Sequence, residues 1–208
     1  MMSHVTVDLH GPHFDDDDFE AVHRAVRRAA RDGEEVLVIA MHGDQADPDP
    51  SPDPNERADR ATRVVAPVIE ALVSSHLLVA VRATGTLAGA AATLLLTADL
   101  GVVAPSTVLV PFPATSPPTP GTGWLLRRAG LARTRAAALA LAGGRLSARQ
   151  AQEHGLVTEV ADDPAAALEA WITASGARVR LRAAVGGPTR DLAAALAHDC
   201  QLAALWPR

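Results

Sequence analysis

Apolar residues at every second position, Val5, Val7 and Leu9 against Thr6 and Asp8, predict a half-buried strand that stops at the His10-Gly11-Pro12 turn. The period then changes. Phe19, Val22, Val26 and Ala29 recur at helical spacing, while Arg24, Arg27, Arg28 and Arg31 fall between them. One aspartate of the Asp15–Asp18 run is expected to cap this helix, whose acidic start and basic end suit its dipole. Asp32-Gly33 ends it, and Glu35 to Ala40 follows as a nearly continuous apolar strand, of the kind buried on both faces, that closes at Met41-His42-Gly43.

Ala61, Val65, Val68 and Leu72 mark a second amphipathic helix, followed by a strand from Leu77 to Val81 and a turn through Thr84-Gly85-Thr86. Gly89 to Thr97 is small or apolar throughout and predicts a buried helix; two short strands are expected at Leu100–Ala104 and Thr107–Val110. Helices are predicted at Trp124–Ala129 and Arg133–Leu141, then one capped by Ser147 and stopped by Gly155. A strand at Leu156–Val160, a helix from Asp163-Pro164 to about Ala174, and a last helix carrying Leu192, Leu196 and Ala203 complete the pattern. Two stretches break it. Asp44 to Glu56 holds five carboxylates and Pro48, Pro50, Pro52 and Pro54, which predicts an extended, poorly ordered loop, and Pro111 to Pro120 reads as a second proline-rich loop. No linker is evident before about residue 161, so a core over 1–160 and a helical region over 161–208 are expected.

Composition narrows the chemistry. A chain of 208 residues with 48% apolar content suffices for about one well-cored domain, and its net charge of −5 offers no basic field for nucleic acid. Every basic residue is Arg; without Lys there is neither a Schiff-base amine nor a Walker-type lysine. Cys200 stands alone, which excludes an intrachain disulfide and a Cys-rich zinc site. Met1 to His10 lacks the basic and apolar regions of a secretion signal, so a cytoplasmic protein is expected. The apolar stretch from Leu77 to Val110 is interrupted by Arg82, Gly85, Asp99 and Pro105, so no membrane span is expected either.

Val79-Ala80-Val81, Gly85-Thr86-Leu87-Ala88-Gly89 through Asp99, and the later run Gly143 to Val160 with Ser147-Ala148-Arg149-Gln150-Ala151 and Gly155-Leu156-Val157, together resemble the crotonase superfamily of enoyl-CoA hydratases and isomerases. The likeness runs from about Val5 to Val160. It implies an α/β fold, a spiral of strand-strand-helix turns with a helical carboxyl-terminal region that mediates assembly, hence a homo-oligomer, trimer or hexamer. It further implies binding of an acyl-CoA or carrier-linked thioester as substrate, with no separate cofactor and no metal. The thioester oxygen would be polarised between two backbone amides, one of them at Gly89-Ala90.

The departures fall on the chemistry. Hydratases of this family carry glutamates six residues before and fourteen after the aspartate that ends the helix, and counting from Asp99 gives Thr93 and Pro113. Neither can act as a general base near neutral pH. The family's first oxyanion segment is absent, its place taken by the acidic loop after Gly43. His42 and Asp44 stand where a substitute acid or base is needed, Thr115 and Ser116 lie where the active-site loop is expected, and Gly43, Gly89, Ala90, Thr93 and Pro113 are the candidate substrate contacts. The bland alternatives are a solvated loop for His42 and Asp44, ordinary loop residues for Thr115 and Ser116, and helix packing for Thr93. His10 and His13 beside Asp15–Asp18 read as an exposed turn and helix cap rather than metal ligands.

Arg127, Arg128, Arg133 and Arg135 form the densest basic cluster, either a phosphate-holding surface for CoA or a solvated helical face. The short length, Leu125 to Gly130 and Asp162-Asp163-Pro164-Ala165 resemble DpgB-type accessory crotonases, which assist a type III polyketide synthase in making dihydroxyphenylacetyl-CoA. Two functions are expected from the resemblance. The first is a hydro-lyase or isomerase without the usual glutamates, catalysing or assisting dehydration of a polyketide intermediate. The second is a non-catalytic subunit of a biosynthetic complex. An unrelated doubly wound domain would instead alternate strands and helices singly.

Overall fold

The computed structural model describes residues 4–46, 51, 53–176 and 191–205. Strands His4–His10 (β1), Val36–His42 (β2), Leu78–Ala83 (β3), Leu100–Val103 (β5) and Glu159–Val160 (β8) form one parallel sheet in the order β1-β2-β3-β5-β8. Thr86–Ala88 (β4), Val108–Val110 (β6) and Leu146–Ser147 (β7) form a second sheet, with β4 and β6 parallel and β6 and β7 antiparallel. The units β3-β4 and β5-β6 are therefore strand pairs split between two sheets. In the two earlier turns the second strand has shrunk to single parallel bridges, His13 with Ala46 and Gln45 with Leu87. Strands and helices do not alternate singly, and the doubly wound alternative falls.

Asp15 caps the first helix, Asp16–Asp32 (α1), with Asp18 closing a capping box from the third position, and Gly33 ends it in the left-handed region. Phe19, Val22, Ala25, Val26 and Ala29 turn inward from α1. Side chains alternate across the main sheet as the strand period requires. Leu37, Ile39, Val79 and Val81 join the larger core with α1, while Val36, Val38, Leu78, Ala80 and Val102 face Leu168 and Ile172 on the opposite side. Those last two belong to the helix Pro164–Ser175, started by Asp163 and Pro164 as the sequence predicts.

Three expectations need correction. Part of the acidic stretch is ordered: Ala46 donates to the Pro12 carbonyl, Gln45 donates to that of Thr86, and Asp53 caps a helix that opens on Pro54. Proline at a first helical position has its φ preset and forfeits no helical hydrogen bond, so a proline-rich composition does not exclude a helix start. Asp47, Pro48, Asp49, Pro50 and Pro52 lie outside the described residues. The strand expected at Leu156–Val160 is confined to Glu159–Val160, because Leu156 donates back to Ala151 and closes the preceding helix. The turn at Thr84-Gly85-Thr86 runs straight into β4, whose three residues are too few for a readable period.

Pro54–Arg60 (α2) continues through a π-helical turn, Ala61–Val65, into Ala66–Ser74 (α3). Ala90–Thr97 (α4) is buried over its whole length. Thr122–Arg128 (α5), Arg133–Ala142 (α6), Ala148–Glu153 (α7) and Pro164–Ser175 (α8) follow, and Leu192–Ala204 (α9) packs back on α2. The Asp199 carboxylate of α9 accepts a 2.9 Å hydrogen bond from the Gly121 amide.

Burial pushes the Asp199 carboxyl above its ordinary value near 3.8, against the opposing pull of the Gly121 amide, His198 and Arg127. A carboxyl whose folded pKa is raised favours folding while it is protonated. That contribution is lost as pH rises through the raised value, so ionisation opposes folding at neutral pH. Asp199→Asn keeps an oxygen for Gly121 without the charge. It is expected to raise the urea midpoint at neutral pH, with the gain vanishing as pH falls toward the ordinary carboxylate value.

Candidate active site

Gly85 joins β3 to β4 with φ +81°, a conformation that favours glycine. Its α-carbon sits so close to the turn at Gly43 that an added Cβ would lie 2.4 Å from the Gly43 carbonyl carbon and oxygen. Around this contact the Gly43 amide donates to the Thr84 hydroxyl, 3.1 Å, the Thr86 amide donates to the Asp44 carboxylate, 2.6 Å, and the Ala88 amide donates to the Gln45 carbonyl, 2.8 Å. The segment after β2 is thereby locked to β4, and β4 delivers the chain to the start of α4.

Gly89 makes the entry to α4 with φ 49° and ψ −110°. Its amide donates to the Val110 carbonyl, and Thr93 returns both its amide and its hydroxyl to the Gly89 carbonyl, each at 2.9 Å. The Thr93 and Thr122 hydroxyl oxygens lie 2.6 Å apart, and Thr122 donates to the Thr119 carbonyl. Thr93 is thus a fully buried packing and hydrogen-bonding residue of α4.

Ala90, the first residue of α4, lines a cavity of about 370 Å³. A helix start brings partial positive charge from its first-turn amides to this point. Ser116 and the Pro117–Pro120 stretch form one wall; Ala61, Val64 and Val65 of the π-helical turn form another. The floor is polar, with Asp16, Glu56, Arg57, Asp59 and Arg60 all on the lining, and Ala203 of α9 contributes the last side. Asp16 pairs with Arg60 and Asp59 with Arg63, each at 2.6 Å, whereas Glu56 accepts from the neutral hydroxyl of Ser51. Buried Arg57 donates to the Ser51 and Ala203 carbonyls.

Of the residues singled out in the sequence, Ala90 and Ser116 meet at this cavity, with Gly89 and Thr93 immediately behind Ala90. Pro113 lines a second hollow with Arg127, Arg133, Leu141 and Gly143, and Pro118 and Thr119 of the intervening loop touch both spaces. Thr115 is exposed. His42 and Asp44 are not on the lining of the Ala90 cavity. Asp44 is exposed; the amide and hydroxyl of Thr86, with Arg145 nearby, hold its carboxyl below the usual range, which suits a turn-capping anion better than a proton acceptor. His42 stacks on His10 instead.

Glu56, Arg57 and Arg60 are not among the expected site residues, since proline and aspartate before them point to a loop. The helical spacing of Arg57, Arg60 and Ala61 carries the signal, and the cap at Asp53-Pro54 starts the pattern four residues earlier. The arginine cluster does not act as one surface: Arg127 and Arg133 line the second hollow, while the Arg128 guanidinium lies over the Trp124 ring at 5.6 Å. Cys200 is buried, and burial pushes its thiol up.

No protein-family model matches this sequence, and no curated protein matches it. The fold itself has many counterparts among solved structures. An enoyl-CoA hydratase from Mycobacterium avium superposes with a TM-score of 0.78 at 22% identity, over 96% of this chain and 84% of that one. An enoyl-CoA hydratase/isomerase from Pseudoalteromonas atlantica gives 0.76 at 18% identity, covering 99% and 89%, and Pseudomonas aeruginosa DspI gives 0.77 at 19%, covering 90% and 84%. At these identities the likeness defines architecture. The chain has the crotonase fold, the α/β spiral of enoyl-CoA hydratases and isomerases. Among the described residues no helix is long and apolar enough to cross a membrane.

Proposed function

We propose that this chain binds an acyl thioester, CoA- or carrier-linked, in the cavity at the start of α4, and catalyses or assists dehydration of a polyketide intermediate. The observation that carries the reading is that Ala90, at the helix end the fold uses to polarise a carbonyl, lines a cavity of about 370 Å³. The thioester oxygen sits at the amino end of α4, where the partial positive charge of the helix start favours the enolate-like oxyanion, a contribution of about 0.3–1 kcal/mol that grows in a partly buried site. Glu56 moves the proton. It is the lining carboxylate held by a neutral hydroxyl, whereas Asp16 and Asp59 are each tied to an arginine. Gly89, Thr93 and Ser116 shape the site without titrating.

A second reading, a non-catalytic subunit of a biosynthetic complex, is favoured by one observation: the position of the usual glutamate holds Thr93, whose hydroxyl is already engaged. A type III polyketide synthase is the partner proposed for either reading. A homo-oligomer, trimer or hexamer, is proposed with it, and Leu141 and Leu202, exposed on one hollow, are apolar surface that such assembly would cover.

Calorimetric titration with CoA, acetyl-CoA and a longer acyl-CoA separates the readings. The enzymatic one expects binding heat that Ala90→Leu reduces at least about tenfold in affinity, because the added side chain enters the cavity. Glu56→Gln should keep binding and lose turnover, scored by mass spectrometry of products formed with the synthase. Absence of binding heat from every thioester refutes the enzymatic reading.

A further inference from the structure

We propose that Asp8, His10 and His42, at the carboxyl ends of β1 and β2, form a binding site for one divalent transition-metal ion of the zinc class. The parallel register sets His10 directly beside His42, and the period of two puts Asp8 on the same face as His10. The two imidazoles stack with centroids 4.5 Å apart and planes within 11°; because an ion lies in the plane of each imidazole that binds it, one ring turns about its side-chain torsions to bring both nitrogens onto one ion. His42 Nε2 lies 3.4 Å from Asp8 Oδ1, and one ligand atom from each of the three residues falls within 4.8 Å of the other two.

The separation of His42 Nε2 from Asp8 Oδ1 suits two ligands of one ion better than a direct hydrogen bond. A good N–H to oxygen bond spans about 2.7–3.2 Å, so 3.4 Å is long for one. Metal–nitrogen bonds of about 2.0–2.1 Å and metal–oxygen bonds of about 2.0–2.2 Å in a tetrahedron place neighbouring ligands about 3.4 Å apart. Two imidazoles with one carboxylate select zinc, nickel or cobalt over magnesium and calcium, which require oxygen donors. All three residues are exposed, so an ion reaches them from solvent, and three protein ligands leave a position for water. The Gln45 side chain, donating to the carbonyls of His42 and Gly11, steadies the backbone under the ligands. The one competing cation nearby among the described residues is half-buried Arg82, whose Nη2 stands 3.7 Å from Asp8 Oδ1; a single long contact of that kind is weak beside direct coordination of a dication. The site is separate from the Ala90 cavity, and the proposal does not depend on the thioester reading.

The untagged full chain, stripped of metal, is titrated with Zn²⁺ and separately with Mg²⁺ by calorimetry. Expected are one Zn²⁺ per chain, no comparable Mg²⁺ binding, and at least about tenfold weaker Zn²⁺ binding in each of His10→Ala, His42→Ala and Asp8→Asn. His76→Ala removes an exposed histidine at the opposite end of the sheet and should change nothing. Co²⁺ added to the unsubstituted chain should give the intense visible absorption of a tetrahedral ion, a readout that needs no variant to fold. Zn²⁺ affinity that survives all three substitutions, that falls equally in His76→Ala, or that does not exceed Mg²⁺ affinity overturns the proposal.

Discussion

Gly85→Ala is expected to destabilise the chain by about 3 kcal/mol, combining about 1–2 for a left-handed conformation with a Cβ and about 1–3 for overpacking. The Cβ would lie 2.4 Å from the Gly43 carbonyl carbon and oxygen and 2.8 Å from the Asp44 amide, all of them backbone atoms that no rotamer change can clear. Gly33→Ala supplies the contrast. Gly33 has a similar φ, +72°, but a Cβ there would meet nothing within 4 Å, so the change should cost only the conformational part, about 1 kcal/mol. At about 2–4 °C per kcal/mol for a chain this size, thermal melts should separate the two variants by several degrees. Equal melting temperatures would mean that the Gly43–Gly85 contact relaxes freely. Because β4 and the start of α4 hang from this contact, thioester binding should fall in Gly85→Ala and persist in Gly33→Ala.

The parts of the fold legible in the sequence are those where one period runs long enough to repeat. β1, α1 and β2 announce themselves through Leu9, Phe19, Val22 and the Val36–Ala40 run, and each lies where its pattern puts it. α8 is read from its Asp163-Pro164 start. β4, β7 and β8 have two or three residues each and take their conformation from a neighbour's backbone, so no local pattern marks them. The bridges at His13 and Gln45 are shorter still, and only the folded spiral shows that they stand in for strands.

The candidate site divides along the same line. Gly89 and Ala90 are legible because a run of small residues from Ala88 to Ala92 has few uses besides close helix packing. Ser116 is legible only by position. The polar floor is not, since Glu56, Arg57 and Arg60 become site residues through the meeting of α2 with α9, a contact across most of the chain. His42 illustrates the opposite case: its place after a strand suggests the Ala90 cavity, whereas parallel pairing sets it beside His10 on the neighbouring strand.

Arg57→Met is expected to cost about 2–3 kcal/mol and to loosen α9 ahead of the rest of the molecule. Arg57 is 8% exposed, and its guanidinium bridges two carbonyls that are distant in sequence, donating from Nε to Ala203 at 3.1 Å and from Nη1 to Ser51 at 2.8 Å. Hydrogen bonds from a charged donor contribute about 1.5–3 kcal/mol each, and part of that is offset when the buried charge itself is removed. Methionine fills the space of the stem but leaves both carbonyls without this donor. Lysine keeps the charge, yet a single ammonium cannot present the planar fork that reaches both, so Arg57→Lys should recover only part of the loss. Ala203 lines the Ala90 cavity, so release of α9 opens that wall. Limited proteolysis should therefore cut Arg57→Met within α9 under conditions that leave the unsubstituted chain intact, and acyl-CoA affinity should fall in parallel. Unchanged proteolysis together with unchanged binding would show that the carbonyl bridge contributes nothing to closing the site.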